Sequence, residues 1–146
     1  MNTASSGGFL GTKLWLQAVA RGRDWILCHT SALEYLQLFI GYLNETQIYV
    51  YAKEAGEYKN VDYKIVDTFD NIDYVCSGGV LYTSLNQTVN DMLADFDNID
   101  EQSLIEGLST YYYNSNESFE GLIIRPENQA VFDSIKDWAI EYYDEY

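Results

Sequence analysis

Proline occurs once in this chain, at Pro126, and histidine once, at His29. So little proline leaves no stiff proline-rich linker that would separate domains, and one histidine excludes any scheme that needs two imidazoles. Cysteine occurs twice, at Cys28 and Cys76, and neither belongs to a Cys-x-x-Cys pair. That spacing excludes a zinc-finger set, and both residues are expected to be reduced core thiols. Residues 1–9 hold no apolar stretch after a basic start, so no secretory signal is expected and the Asn-x-Ser/Thr triplets at Asn44, Asn86 and Asn116 are chance matches. No apolar run approaches the roughly 20 residues of a membrane span, so the expectation is a cytoplasmic protein that makes no membrane contact.

Positive charge is scarce as well. Eight Lys and Arg stand against 23 Asp and Glu, a net charge of −15. The shortage is local: residues 1–64 carry Lys13, Arg21, Arg23, Lys53, Lys59 and Lys64 against six acids, whereas later residues carry only Arg125 and Lys136 against seventeen. A surface of that sign gains nothing from counterion release on a phosphate backbone, which argues against direct nucleic-acid binding. A basic protein surface is the expected partner.

What the chain does have is core material, with 47% hydrophobic and 16% aromatic residues over 146 positions. One domain, 1–146, is expected, with the small polar residues 1–8 as a disordered end. Leu10, Leu14, Trp15, Ala18 and Val19 follow a helical period and predict a first helix over 11–21. Trp25 to Cys28 reads as a short buried strand. Ser31 with Glu34 gives a capping signal for a second helix over 32–40, closed by Gly41. Residues 47–52 and 61–69 are β-branched and aromatic or alternating, and read as an antiparallel hairpin; 73–76 and 80–83 add two strands joined through Ser77-Gly78-Gly79. Ser84 with Gln87 is a second capping box, and Leu85, Val89, Met92 and Leu93 mark a helix over 85–96. Asp100 caps a helix over 101–112, and Pro126 opens a last helix whose buried side is Val131, Ile135, Trp138, Ala139 and Tyr142. The fold class is α+β: two N-terminal helices, a small mainly antiparallel sheet, and three C-terminal helices.

Little in this pattern carries reaction chemistry. Cys28 and His29 are neighbours on a strand and point to opposite faces, so they do not form a nucleophile and base, and His29 is expected to help begin the second helix. Asp67, Asp70 and Asp73, and again Asp95, Asp97 and Asp100, suggest carboxylate ligands. Counted from Asp95, however, an EF-hand needs glycine at position six, where Asp100 stands, although Glu106 fits position twelve. The glycine pairs at 7–8 and 78–79 precede no Gly-Lys-Ser/Thr, so no phosphate loop forms. No metal, cofactor or catalytic residue is expected. The remaining feature is acid mixed with tyrosine, and the candidate partner-binding residues are Asp95, Asp97, Asp100, Glu101, Glu106, Asp133, Asp137, Glu141, Tyr112 and Tyr142.

Two segments resemble a known family. His29-Thr-Ser-Ala-Leu-Glu-Tyr-Leu36 resembles the "S-x-x-S-A-L-x-x-x-G-L" start of the antitoxin domain of AbiEi-type proteins. Thr83-Ser-Leu-Asn-Gln-Thr-Val-Asn-Asp-Met-Leu93 is similar to its "T-S-P-x-R-T-x-x-D-x-L" segment, with Thr88 and Asp91 at the motif positions but Asn86 for the proline and Gln87 for the arginine. The resemblance implies an antitoxin component acting against a nucleotidyltransferase-type toxin, in a bacterial or phage defence setting. The family's winged helix has no room in the 24 residues before Trp25, so autoregulation by DNA binding is not implied. The expectation is therefore a non-enzymatic, acidic inhibitor or antitoxin-like protein that neutralises a basic toxin or nuclease. The alternative is a phage-encoded nucleic-acid mimic that blocks a nuclease or other defence complex through its carboxylates.

Overall fold

The computed structural model describes residues 9–40 and 47–142, so the expected disordered start, Gly41, Asn44 and the last four residues lie outside the described residues. In order the elements are α1 (Phe9–Ala20), β1 (Trp25–Leu27), α2 (His29–Tyr35), β2 (Ile48–Ala52), β3 (Val61–Ile65), β4 (Tyr74–Ser77), β5 (Val80–Thr83), α3 (Leu85–Ala94), α4 (Glu101–Asn114) and α5 (Gln129–Tyr142). The chain is α+β as expected, and β1 separates the two leading helices. Among the described residues, no helix is long and apolar enough to cross a membrane.

The five strands form one sheet in the order β3-β2-β1-β5-β4. It is mixed rather than mainly antiparallel: β1 runs antiparallel to β2 and β4 to β5, but β1 is parallel to β5 and β2 to β3. The expected hairpin of β2 and β3 is thus corrected to a parallel pair, in register from Ile48 with Val61 to Ala52 with Ile65. Residues 53–60 are long enough to return along the strand, since eight residues reach about 26 Å and a five-residue strand spans about 17 Å. The return is packed in place. A Cβ at Gly56 would collide with the Tyr63 hydroxyl, and Tyr58 N–H donates to that hydroxyl at 3.4 Å. By contrast β4 and β5 do form a hairpin, whose glycines Gly78 (φ 62°) and Gly79 (φ 78°) supply the left-handed pair of a type I′ turn.

Two apolar clusters hold the layers together. One joins Leu16 and Ala20 of α1 to Leu27, Ile48, Val50, Val61 and Val80 of the sheet, with Tyr35 of α2 beside them. The side of α1 expected to be buried is therefore corrected: Leu10, Leu14 and Trp15 are 60%, 53% and 40% exposed. Polar side chains share the inward side, because Thr12 Oγ1 donates to Ile40 O at 2.6 Å and Gln17 Nε2 to Tyr35 Oη at 3.1 Å. A reading based on apolar spacing alone cannot weigh those bonds. The second cluster packs α2 to α5 through Leu33, Phe39, Met92, Leu104, Leu108 and Ile135. Here Val89, Met92 and Leu93 of α3 are buried as expected and Leu85 is half-buried; Leu104, Ile105 and Leu108 of α4 are buried, and on α5 Phe132 is buried while Trp138 is 44% exposed.

The second helix begins three residues earlier than expected and stops sooner. Its N-cap is Cys28, without a side-chain bond, and Ser31 lies inside the helix, where its hydroxyl accepts from Tyr49 N–H at 2.9 Å. The cap signal is consumed by the sheet. At the other end Gln37 takes a left-handed φ of 63°, with Gln37 N–H bonded to Glu34 O and Leu38 N–H to Leu33 O. That is a Schellman motif sealed by contact between Leu33 and Leu38.

Candidate functional site

The ten residues proposed from sequence fall into three groups. Asp95, Asp97, Asp100 and Glu101 sit at the corner between α3 and α4, where Asp95 accepts from Asn98 Nδ2 at 2.7 Å and Asp100 caps α4 by accepting from Ser103 N–H at 3.3 Å. Asp97 and Glu101 are exposed there. Asp133, Asp137 and Glu141 are exposed on α5 at intervals of four residues, which places them on one side about 6 Å apart along the axis. Glu106, Tyr112 and Tyr142 are half-buried. Tyr142 Oη donates to Glu106 at 3.1 Å and ties the end of α5 to α4, while the Tyr112 ring packs 4.8 Å from Phe119.

The α5 side has one further member that the apolar period places in the core. Trp138 lies between Asp137 and Glu141 on the solvent side, in a row with Ala130, Asp133 and Ser134. Phe132 is buried instead and packs edge to face on Phe119 at 5.4 Å. The expected inward side included Trp138 and not Phe132; against α4 the buried side runs through Phe132, Ile135 and Ala139 instead.

A second assembly lies where α3 crosses the sheet. Tyr51 Oη donates to Asp91 Oδ2 at 2.7 Å, and Gln87 Nε2 donates to Asp91 Oδ1 at 2.8 Å. Gln87 Oε1 accepts from Asp73 N–H at 3.0 Å, so its side chain links the β3–β4 connection to Asp91 instead of closing the expected capping box. Ser84 still accepts from Gln87 N–H at 3.2 Å. Burial raises the Asp91 carboxyl above its ordinary value, against the bonds from Tyr51 and Gln87 that lower it. Burial and the Asp91 charge raise the Tyr51 phenol well above its own. Thr88, the other motif residue, is a buried strut: its hydroxyl donates to Ser84 O at 2.6 Å and meets the Thr83 hydroxyl at 2.6 Å.

His29 stands beside this assembly, its ring edge-on to Tyr51 at 6.2 Å. It opens α2 as expected, in a left-handed conformation with φ 51°. The residue is 6% exposed, and its Nδ1 is sealed from solvent without a hydrogen-bond partner. Burial, followed by the Lys64 charge, lowers its pKa to about 4, so the ring is neutral at physiological pH. The Cys28 thiol is pushed well up by burial and stays protonated. Tyr51, Asp91, Gln87 and the Asp73 backbone are joined by fixed hydrogen bonds, which makes this chain of contacts a brace between helix and sheet. Among the described residues no three His, Cys, Asp or Glu side chains are grouped to hold a metal ion.

Asn86 and Asn90, one turn apart on α3, fix how the chain enters α5. Asn86 Oδ1 accepts from Ile123 N–H at 2.8 Å, and Asn90 donates to Ile123 O and accepts from Arg125 N–H, both at 2.8 Å. Asn128 Nδ2 completes the clasp on Asn90 Oδ1 at 3.0 Å. Sequence reasoning missed this, although the spacing Asn86 to Asn90 is the signal for a polar helix side that receives an extended segment. Compared with protein-family models, with curated proteins and with solved structures, the chain matches none.

Proposed function

We propose that this chain is a non-enzymatic, antitoxin-like inhibitor whose α5 side covers a basic surface on a protein that handles nucleic acid or nucleotides. The observation that carries this reading is the row Asp133, Asp137 and Glu141 with half-exposed Trp138 among them. Like charges at i and i+4 repel by a few tenths of a kcal/mol per pair, and no ion pair joins Lys136 to the row among the described residues. The ion pairs Lys53–Asp24 and Lys64–Asp62 belong to the first part of the chain. A cationic surface that approached α5 would relieve the repulsion, and the indole would supply the apolar anchor that interfaces favour.

The test compares the wild type with the Asp133→Lys, Asp137→Lys, Glu141→Lys triple variant as baits in extracts of the source organism. A basic protein retained by the first and lost by the second, with unchanged melting of the bait, supports the reading. Equal retention rejects it. For the alternative of nucleic-acid mimicry, the retained protein must be released by DNA or RNA and must show a steep salt dependence.

A further inference from the structure

The outward side of α1 is apolar and leads into a cavity. Leu10, Leu14, Trp15 and Ala18 are exposed at positions i, i+4, i+5 and i+8 of one helix. Ala18 and Val19 then form one wall of a cavity of about 260 Å³ whose other walls include Arg23, Trp25, Tyr58 and Val61. The Arg23 guanidinium lies 4.9 Å from the Trp25 ring and 5.1 Å from the Tyr58 ring. Its Nε donates to Val19 O at 2.9 Å and its Nη2 to Tyr58 Oη at 3.2 Å. Two of the five guanidinium N–H groups are thereby used, and three remain to donate. Among the described residues no carboxylate lies within ion-pair distance of Arg23, Arg21 or Lys13, whereas Lys53 and Lys64 each have one.

We propose that this surface binds α5 of a second copy of the chain, with the partner's Trp138 in the cavity and its Asp137 or Glu141 on the Arg23 guanidinium. The chemistry of the two surfaces is complementary: one offers an aromatic-lined cavity with an unmatched cation, the other an exposed indole flanked by unmatched carboxylates. A cavity of about 150 Å³ already accepts a benzene ring, so the space is sufficient for the leading part of an indole. The net charge of −15 per copy opposes association at long range. At physiological ionic strength, however, charges beyond about 8 Å are screened, while a guanidinium and carboxylate in contact are not. The two surfaces are different, so the contact is head-to-tail and leads to a ring or an open chain. It uses the α5 side and therefore excludes a basic partner there, but it stands on the geometry of α1 and α5 whether or not that partner exists.

Sedimentation equilibrium of the full chain, from micromolar to submillimolar at about 0.15 M salt, tests this. The wild type is expected to exceed the monomer mass as concentration rises. Trp138→Ala and Ala18→Glu, both at exposed positions, are each expected to weaken association about tenfold or more, with helical content and melting retained. The decisive sample is their equimolar mixture. One variant keeps the cavity and the other keeps the indole, so the mixture is expected to regain association and to stop at a dimer. A wild type that stays monomeric overturns the proposal, as does a mixture that stays monomeric. Restored association of Arg23→Glu by Glu141→Arg in the opposite copy is the corresponding test of the charge pair.

Discussion

The Tyr51 hydroxyl on β2 donates a 2.7 Å hydrogen bond to Asp91 on α3, forty residues away in sequence. This bond couples the sheet to α3, and it leaves the carboxylate half-buried with Gln87 as its other partner. Tyr51→Phe is expected to destabilise the fold by about 2 kcal/mol, the range for a hydrogen bond to a charged group. Gln87 cannot turn its amide to compensate, because its Oε1 is held by Asp73 N–H. Replacing both residues, as Tyr51→Phe with Asp91→Leu, should cost less than the sum of the single changes, since no lone buried partner is left. Urea unfolding with an unchanged slope measures it, and strict additivity would show that the two groups do not interact.

Asn90 makes a different kind of prediction, because it holds backbone rather than side chains. Its amide satisfies Ile123 O and Arg125 N–H and is itself buried. Asn90→Ala is expected to cost about 3 kcal/mol through the unpaired groups it leaves, and to loosen the start of α5 before the rest of the fold. Native-state hydrogen exchange should therefore show lost protection at the Arg125 amide, whose acceptor is removed, while the Ile123 amide keeps its bond to Asn86. Uniform loss across the sheet would contradict a local clasp.

Much of the fold was legible in the residues themselves. The buried apolar residues of α3 and α4 follow from apolar spacing, though not the buried Gln87, Thr88 and Asn90 beside them, and Ser84 and Asp100 cap their helices as their side-chain chemistry requires. What failed depends on partners distant in sequence. Ser31 reads as a cap until Tyr49 N–H claims its hydroxyl, and Leu10, Leu14 and Trp15 read as core until Thr12 and Gln17 anchor the other side of α1. The β2–β3 pair reads as a hairpin because an eight-residue connection rarely carries a parallel return. For the candidate site, the acids of α5 were legible as surface, but an apolar period fits a stripe through Val131, Ile135 and Trp138 as well as one through Phe132, Ile135 and Ala139, and only tertiary packing selects the second.

Gln37 offers a stabilising change. It is exposed and sits at the left-handed position that closes α2, where glycine carries no Cβ penalty. Gln37→Gly is expected to raise stability by about 1 kcal/mol, the cost of a left-handed L-residue less the extra chain entropy of glycine. Gln37→Val, β-branched at the same φ, should lower it. Thermal melts of the three proteins give the order directly, and a valine variant as stable as the glycine one would refute the assignment of strain.

Glu34 gives the pH test. Burial, and then the Asp100 charge, push its carboxyl up to about 8 from 4.5. Below pH 4.5 the group is protonated in folded and unfolded chains alike and contributes no difference. Between 4.5 and 8 the folded chain holds the extra proton, so stability from this group falls as pH rises and the full penalty is present above 8. His29 acts in the opposite sense, since its folded pKa of about 4 makes stability rise with pH between 4 and 6.5. The two are separated by comparing the wild type with Glu34→Gln at each pH, because His29 is common to both. The variant is expected to match the wild type below pH 4.5 and to exceed it by about 2 kcal/mol above pH 8. Water that reaches the partly exposed side chain screens its charge, which keeps the penalty below that of a fully enclosed carboxylate. A difference that stays constant from about pH 4 to 9 would mean that Glu34 is solvated in the folded chain and that α2 and α4 pack less closely around it.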